Sequence, residues 1–339
     1  MDDVIRLTDL CRARHRLAGH VLHTPLVHSP SLSRIAGGSV HLKLECRQTT
    51  GSFKLRGATN ALLKLDAAAR ARGVVGASTG NHGRALAYAA RRLGMHAVIC
   101  MSRLVPANKV EAIRALGAEV RITGATQDEA ALDAARLVRD SGLTLVPPFD
   151  DPDVIAGQGT AGLELLDDLP IVDTVLVPLS GGGLLAGVAL ALKRVSPAIR
   201  VIGVTMERGC AMHASLRAGR PVQVEEVETL ADSLGGGIGL DNRYTFPMVR
   251  ALVDDTVLVS EEEIAAAIGH AYREEQVVIE GAGAVGIAAL LSARVSPTGV
   301  TAVLVSGANI DMELHRRIVC GTDATRARDP SGAGVPLGA

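Results

Sequence analysis

The sequence predicts an α/β protein built from parallel sheets flanked by helices. Three observations predict it. Short β-branched runs alternate with Ala/Leu-rich segments of helical length along most of the chain, the pattern of βαβ units. Several strand candidates are continuous apolar runs, such as Thr174-Val-Leu-Val-Pro178 and Val300-Thr-Ala-Val-Leu-Val305, as strands covered on both faces require. The candidates are many for one simple sheet, and Pro147-Pro148 and Asp150-Asp-Pro152 punctuate the middle, so the chain reads as two domains.

Taken in order, strands are expected at 40–45, 74–78, 97–101, 119–123, 143–146, 174–179, 200–206, 255–259 and 300–305. Helices are expected at 54–72, 81–93, 107–117, 126–141, 157–168, 183–195, 210–218, 261–275, 283–293 and 311–319. Residues 323–339 carry no periodicity and read as a disordered tail.

Composition excludes several classes. The 339 residues leave room for two domains. With 47% hydrophobic and 21% charged residues, a sizeable core can be buried. A net charge of -1, without single-sign blocks, gives no electrostatic reason to expect nucleic acid or an anionic membrane. At 2% aromatics and no Trp, there is no stacking platform for single strands. Apolar runs are too short to span a bilayer. The N-terminus lacks a basic start followed by an apolar run, so no secretory signal is expected. Cys11, Cys46, Cys100, Cys210 and Cys320 form no CxxC pair and no metal spacing. They read as reduced thiols in a cytoplasmic protein.

The most informative stretch is Ser52-Phe53-Lys54-Leu55-Arg56-Gly57-Ala58. It places a lysine at a strand-to-helix turn, where a desolvated amine can attack a carbonyl. Schiff-base formation is one of the few roles in which lysine carries chemistry rather than charge. Ligands of open α/β sheets bind beyond the carboxyl ends of strands, and three more strand ends are unusual. Ala77-Ser78-Thr79-Gly80-Asn81-His82-Gly83 opens a helix with hydroxyls and free N–H groups, which favour a carboxylate. An N-cap explains Ser78 or Thr79, but not Asn81-His82 between two glycines. Asn81 offers an amide to a ring oxygen. Ser180-Gly181-Gly182-Gly183-Leu184 lets backbone N–H groups converge on one phosphate. It lacks the GK[ST] ending of a nucleotide loop. Ser306 ends the last strand, where a hydroxyl can meet a heterocycle.

Gly281-Ala282-Gly283-Ala284-Val285-Gly286 matches a dinucleotide fingerprint, which keeps an NAD-dependent dehydrogenase as a rival. The next strand ends in Ser306-Gly307 without the acid that binds a ribose hydroxyl. These glycines are therefore read as close helix–strand packing. An amine for a carbonyl, a cup for one phosphate, an amide for a ring oxygen and a hydroxyl for a ring nitrogen together describe pyridoxal 5′-phosphate.

The stretches Ser52-Phe-Lys-x-Arg-Gly-Ala58, Ser78-Thr-Gly-Asn-His-Gly83, Gly181-Gly-Gly183 and Ser306-Gly-x-Asn309 share their order and approximate spacing with a known group. They resemble the threonine/serine dehydratase group of fold type II pyridoxal-phosphate enzymes, over roughly residues 15 to 320. The resemblance implies a tryptophan synthase β-like fold with two open, twisted, mostly parallel sheets flanked by helices. It implies a large cofactor domain from 1–50 and 148–322 and a small domain from 51–147. Lys54 would form the Schiff base and later take the Cα proton, and Phe53 would pack beside the cofactor. Asn81 would meet the ring oxygen, Ser180, Gly181, Gly182, Gly183 and Leu184 the phosphate, and Ser306 the pyridine nitrogen. Ser78, Thr79 and the following Gly80 and His82 would hold the substrate carboxylate. The implied reaction removes water from a β-hydroxy amino acid and yields a 2-oxo acid and ammonia, with racemisation as the alternative.

There are departures. Ser180 stands where the family commonly has a fourth glycine. The family's divalent-cation site maps to Glu207 and the carbonyl of Ala211, but its second acid position is His213. No C-terminal regulatory domain is expected. The stretch Asp232-Ser-Leu-Gly-Gly-Gly-Ile-Gly-Leu-Asp-Asn-Arg243 lies where dehydratases face the substrate side chain. It looks like the hydroxyectoine-utilisation dehydratases, which would imply a hydroxylated diaminobutyrate whose second amine meets Asp232, Asp241 or another acid. A homodimer or higher homo-oligomer is the family's habit.

Overall fold

The computed structural model describes residues 5–322 except Thr79, Leu104, Pro106, Ala125, Thr126 and Thr298. The tail expected at 323–339 lies outside the described residues. Two sheets organise the chain. Strands β1 (Leu26–His28), β2 (Val40–Lys43), β7 (Thr174–Pro178), β8 (Arg200–Met206), β9 (Asp255–Val259) and β10 (Thr301–Leu304) form a six-stranded sheet in the order β1-β2-β10-β7-β8-β9. Strands β3 (Val74–Ala77), β4 (Ala97–Met101), β5 (Glu119–Ile122) and β6 (Thr144–Leu145) form a four-stranded sheet in the order β5-β4-β3-β6. Every strand pairing is parallel except β1 with β2.

The apolar strands are covered on both faces, as their unbroken hydrophobicity predicts. Side chains alternate across a strand. Val175 and Val177 therefore enter one core with Ala302 and Leu304, while Leu176 and Val303 enter the opposite one. The first core is closed by helices Leu7–Leu17, Pro152–Asp168 and Gly183–Val195. The second is closed by Glu261–Arg273 and Gly281–Leu291. In the latter helix the GxGxxG glycines make close contacts. A Cβ on Gly283 would lie 2.7 Å from the Gly307 carbonyl oxygen, and one on Gly286 would lie 2.6 Å from a Val303 methyl.

Several elements differ from expectation. The helix expected at 54–72 is two helices, Lys54–Lys64 and Ala67–Arg72, because the Asp66 carboxylate accepts from the Ala69 N–H and starts a new one. The helix expected from 157 begins at Pro152. Asp151 caps it, and the proline occupies the first turn, where no N–H is needed. Strand β1 and helices Leu7–Leu17, Pro30–Ala36 and Thr245–Leu252 were not expected. All five cysteines are free. No helix among the described residues is long and apolar enough to cross a membrane.

Candidate active site

Residues that follow β2, β3, β7 and β10 meet in one cleft, so both sheets contribute to it. Phe53, Lys54, Asn81, Phe149, Ser180, Gly181–Leu184, Ser233, Leu234, Glu280 and Ser306 line it, around about 430 Å³ of space continuous with solvent. The turn carrying Lys54 is fixed by a short backbone bridge to the end of β10. Ser52 pairs with Gly307, the Phe53 N–H donates to the Ser306 carbonyl at 3.1 Å, and Ala308 N–H donates to Gly51 at 2.9 Å. This bridge puts the lysine and the Ser306 hydroxyl on one wall.

The Lys54 Nζ donates to the Pro148 carbonyl at 2.7 Å and lies 5.2 Å from the centre of the Phe53 ring. Burial pushes this amine down to about 8, and the Glu280 carboxylate pulls it partly back. At pH 7 about one such amine in ten is neutral, against fewer than about one in a thousand for an ordinary lysine. That population is what nucleophilic attack on a carbonyl requires.

The glycine loop forms a cup at the start of the helix Gly183–Val195. Gly182 has φ +89°, a left-handed value that glycine adopts without strain. A Cβ on Gly181 would lie 2.3 Å from the Phe149 ring. Only bare backbone fits there, and it sits at the positive end of a helix. The Ser306 side chain is buried and donates at 3.3 Å to the Ala282 carbonyl. A cup for one phosphate, one amine, one amide and one neutral hydroxyl fit pyridoxal phosphate.

Other expected site residues stand differently. The Ser78 hydroxyl accepts from the Gly80 and Gly83 N–H groups at 3.3 and 3.1 Å, at the entry to the helix Asn81–Arg92. Thr79 lies outside the described residues. His82 does not line the cleft with its side chain. Its ring is buried, with Nε2 bonded to the Val146 carbonyl at 2.8 Å. It braces the segment that supplies the Pro148 carbonyl. Asp232 points at Lys109, 2.6 Å away, while its neighbours Ser233 and Leu234 face the cleft. Among the described residues, none of 235–243 lines it. Instead Asp150 accepts from the Arg243, Tyr244 and Thr245 N–H groups. The His213 ring is bonded to the Thr256 hydroxyl at 2.8 Å. Among the described residues no three His, Cys, Asp or Glu side chains group so as to hold a metal ion.

Sequence reading missed Phe149 and Glu280. Phe149 carried a signal, since the chain has only three phenylalanines and two of them line this cleft. Glu280 carried one too, as an acid directly before a glycine-rich helix start.

His82 makes the fold acid-sensitive. Burial, with the Lys54 charge adding to it, pushes the ring from 6.5 down to about 3. Between those values the unfolded chain holds a proton that the folded chain lacks. Stability is therefore fully present above pH 6.5 and falls as the pH drops toward 3. The expected result is a melting temperature of the cofactor-free protein that declines across this window. In His82→Gln the decline is shallower, as scanning calorimetry at a series of pH values would reveal.

The fold and the cleft together define a fold type II pyridoxal-phosphate enzyme. The chain belongs to the pyridoxal-phosphate dependent enzyme family, whose model matches residues 17–307. It is 59% identical, over 94% of its length and 96% of the relative's, to a Sinorhizobium fredii protein that bears the provisional name threonine dehydratase. It is 45% identical to the L-threonine ammonia-lyase of Thermotoga maritima, over 93% of this chain and 78% of that one. The structure of maize serine racemase superimposes with a TM-score of 0.88 at 34% identity, covering 94% of this chain and 97% of the other.

Proposed function

We propose that the protein is a dehydratase of the ammonia-lyase type, removing water from a β-hydroxy amino acid to give a 2-oxo acid and ammonia. The observation that carries this reading is the Lys54 amine, pushed down to about 8, in one cleft with the glycine loop Gly181–Gly183. The names of the two relatives, threonine dehydratase and L-threonine ammonia-lyase, support it. Pyridoxal phosphate, when bound, supplies an electron sink for negative charge at the substrate Cα.

The chain's own residues do the rest. Gly181, Gly182, Gly183 and the helix start behind them hold the phosphate, with Ser180 and Leu184 at the rim. Lys54 would anchor the cofactor through its amine, and the same amine would take the Cα proton. Asn81 donates to the ring oxygen. Ser306, a neutral hydroxyl, leaves the ring nitrogen without a carboxylate to keep it protonated. A neutral partner there would favour loss of the β-hydroxyl over transamination. The turn that opens the helix Asn81–Arg92 receives the substrate carboxylate.

The substrate is threonine or serine, or a hydroxylated diaminobutyrate of hydroxyectoine breakdown. Ser233 and Leu234 of the 232–243 stretch face the cleft, which supports a role for that stretch in choosing among them. A screen of threonine, serine, 3-hydroxyaspartate and hydroxylated diaminobutyrates would read ammonia and 2-oxo acid together. Equimolar release from at least one, dependent on pyridoxal phosphate, is expected. Inversion with deuterium uptake and no ammonia would replace the dehydratase by a racemase, the reading that the likeness to maize serine racemase favours. A homodimer belongs to the same proposal and is checked by mass in solution.

A further inference from the structure

Glu280 lies in the cleft wall, and none of the roles above uses it. It is 3% exposed and stands immediately before the helix Gly281–Leu291, yet its side chain does not cap that helix. Instead it ends a chain of hydrogen bonds whose direction can be read from one end to the other. Arg84 donates to Asn309 Oδ1 at 3.3 Å, so the Asn309 amide nitrogen faces the other way. That nitrogen donates to the Thr50 carbonyl at 3.0 Å and to Asn81 Oδ1 at 2.5 Å. Asn81 Nδ2 then donates to Glu280 Oε1 at 2.6 Å, and the Asn309 N–H donates to Glu280 Oε2 at 3.1 Å. Arginine can only donate and a carboxylate can only accept, so the amides between them have one allowed orientation. The second N–H of Asn81 is left for the cleft, where its other contact is the Ser233 hydroxyl at 3.4 Å. Gly307 makes room for this arrangement, because a Cβ there would lie 2.3 Å from Glu280 Oε1.

We propose that Glu280 is a positioning residue, which holds the Asn81 amide with its N–H side toward the cofactor's ring oxygen and sets the negative charge that Lys54 feels. The proposal rests on the pyridoxal-phosphate reading of the cleft. The charges around Glu280 come from every side. They are Lys54 on the helix Lys54–Lys64, Arg84 on Asn81–Arg92, Lys109 on Ala107–Ala115 and Asp232 on the turn at the mouth, with the Cys46 thiol near β2. Burial raises the carboxyl to about 7, Asp232 adds to this, and the N–H donors and Lys109 oppose it. Near neutral pH, protonation of Glu280 therefore relaxes its demand for an N–H partner.

The test uses the holoenzyme and two readouts other than turnover, the pH titration of the bound cofactor's visible band and cofactor affinity. In Glu280→Gln an amide nitrogen must confront either Asn81 Nδ2 or the Asn309 N–H. The band is expected to titrate about one unit lower, since an anion beside Lys54 is gone. Cofactor affinity is expected to fall about tenfold. The double variant Asn81→Ala/Glu280→Gln should bind no more weakly than Asn81→Ala alone. Unchanged titration and affinity in Glu280→Gln, or additive losses in the double variant, would overturn the proposal. If Glu280→Gln does not fold, Glu280→Asp decides. Weaker binding with a wild-type titration supports the proposal, and unchanged binding overturns it. A wild-type protein with no visible band, or one whose band survives Lys54→Ala, would overturn the reading of the cleft itself before any change at Glu280.

Discussion

Lys54→Ala is expected to lower turnover by at least about a thousandfold, because under the proposed function it removes both the covalent anchor of the cofactor and the base for the Cα proton. The melting temperature of the cofactor-free protein should fall little. Among the described residues the side chain makes one hydrogen bond, to the Pro148 carbonyl, and its burial as a charged group is unfavourable. The combination separates chemistry from structure. Borohydride reduction of the wild-type holoenzyme should fix the label on Lys54, as peptide mapping would read. Capture of pyridoxal phosphate by the apoprotein should accelerate as pH rises through about 8, since only the neutral amine attacks. A variant that keeps wild-type turnover would end the assignment.

Arg56→Met is expected to destabilise the fold by about 3–5 kcal/mol, the usual cost of stripping one partner from a buried ion pair. The guanidinium is fully buried between two carboxylates. It meets Glu45 bidentately at 2.7 and 2.8 Å and Glu164 at 2.6 and 2.8 Å, and it also donates to Thr160 at 3.2 Å. Burial opposes its charge, but Glu45 and Glu164 outweigh that and raise its pKa. Glu164 shows the reverse. Burial pushes it up, but Arg56 and Lys43 hold it below its ordinary 4.5. Its contribution is therefore present above that value and lost as pH falls below it. Methionine fills the volume and leaves Glu45 without a cation. Arg56→Lys should recover only part of the loss, because a point charge cannot reproduce the planar fork. Urea unfolding would decide the matter, and a loss under about 1 kcal/mol would show that the carboxylates find other partners. Arg56 lies two residues after Lys54 on the same helix, so the variant should also retain cofactor less well.

The alternation of β-branched runs with helical segments located the strands β2 to β10 to within one or two residues, and in β4, β7 and β10 burial on both faces leaves an unbroken hydrophobic signature. Strand β1 left no such mark. Its three residues are half exposed, and only pairing with β2 makes them a strand. The helix break at Asp66 and the early start at Pro152 depend on capping that a hydrophobic pattern does not register. Within the cleft, the lysine, the glycine cup, Asn81 and Ser306 were legible because each needs a rare residue type at a strand end. The Asn81–Glu280 and Arg56–Glu164 contacts were not, since those partners lie far along the chain. Asn81 and Glu280 are separated by 199 positions, and Arg56 and Glu164 by 108.

The sequence by itself determined the layered α/β class and the cofactor, and it singled out Lys54, which lines the cleft. These follow from periodicity and from residue types whose chemistry has few substitutes. Only the tertiary structure decided which groups surround that lysine, which way the Asn81 amide faces, and that the Ser78, His82 and Asp232 side chains serve the scaffold or the mouth. A hydrogen bond or a displaced pKa depends on distances of a few ångströms between segments remote in sequence, and only folding sets those distances.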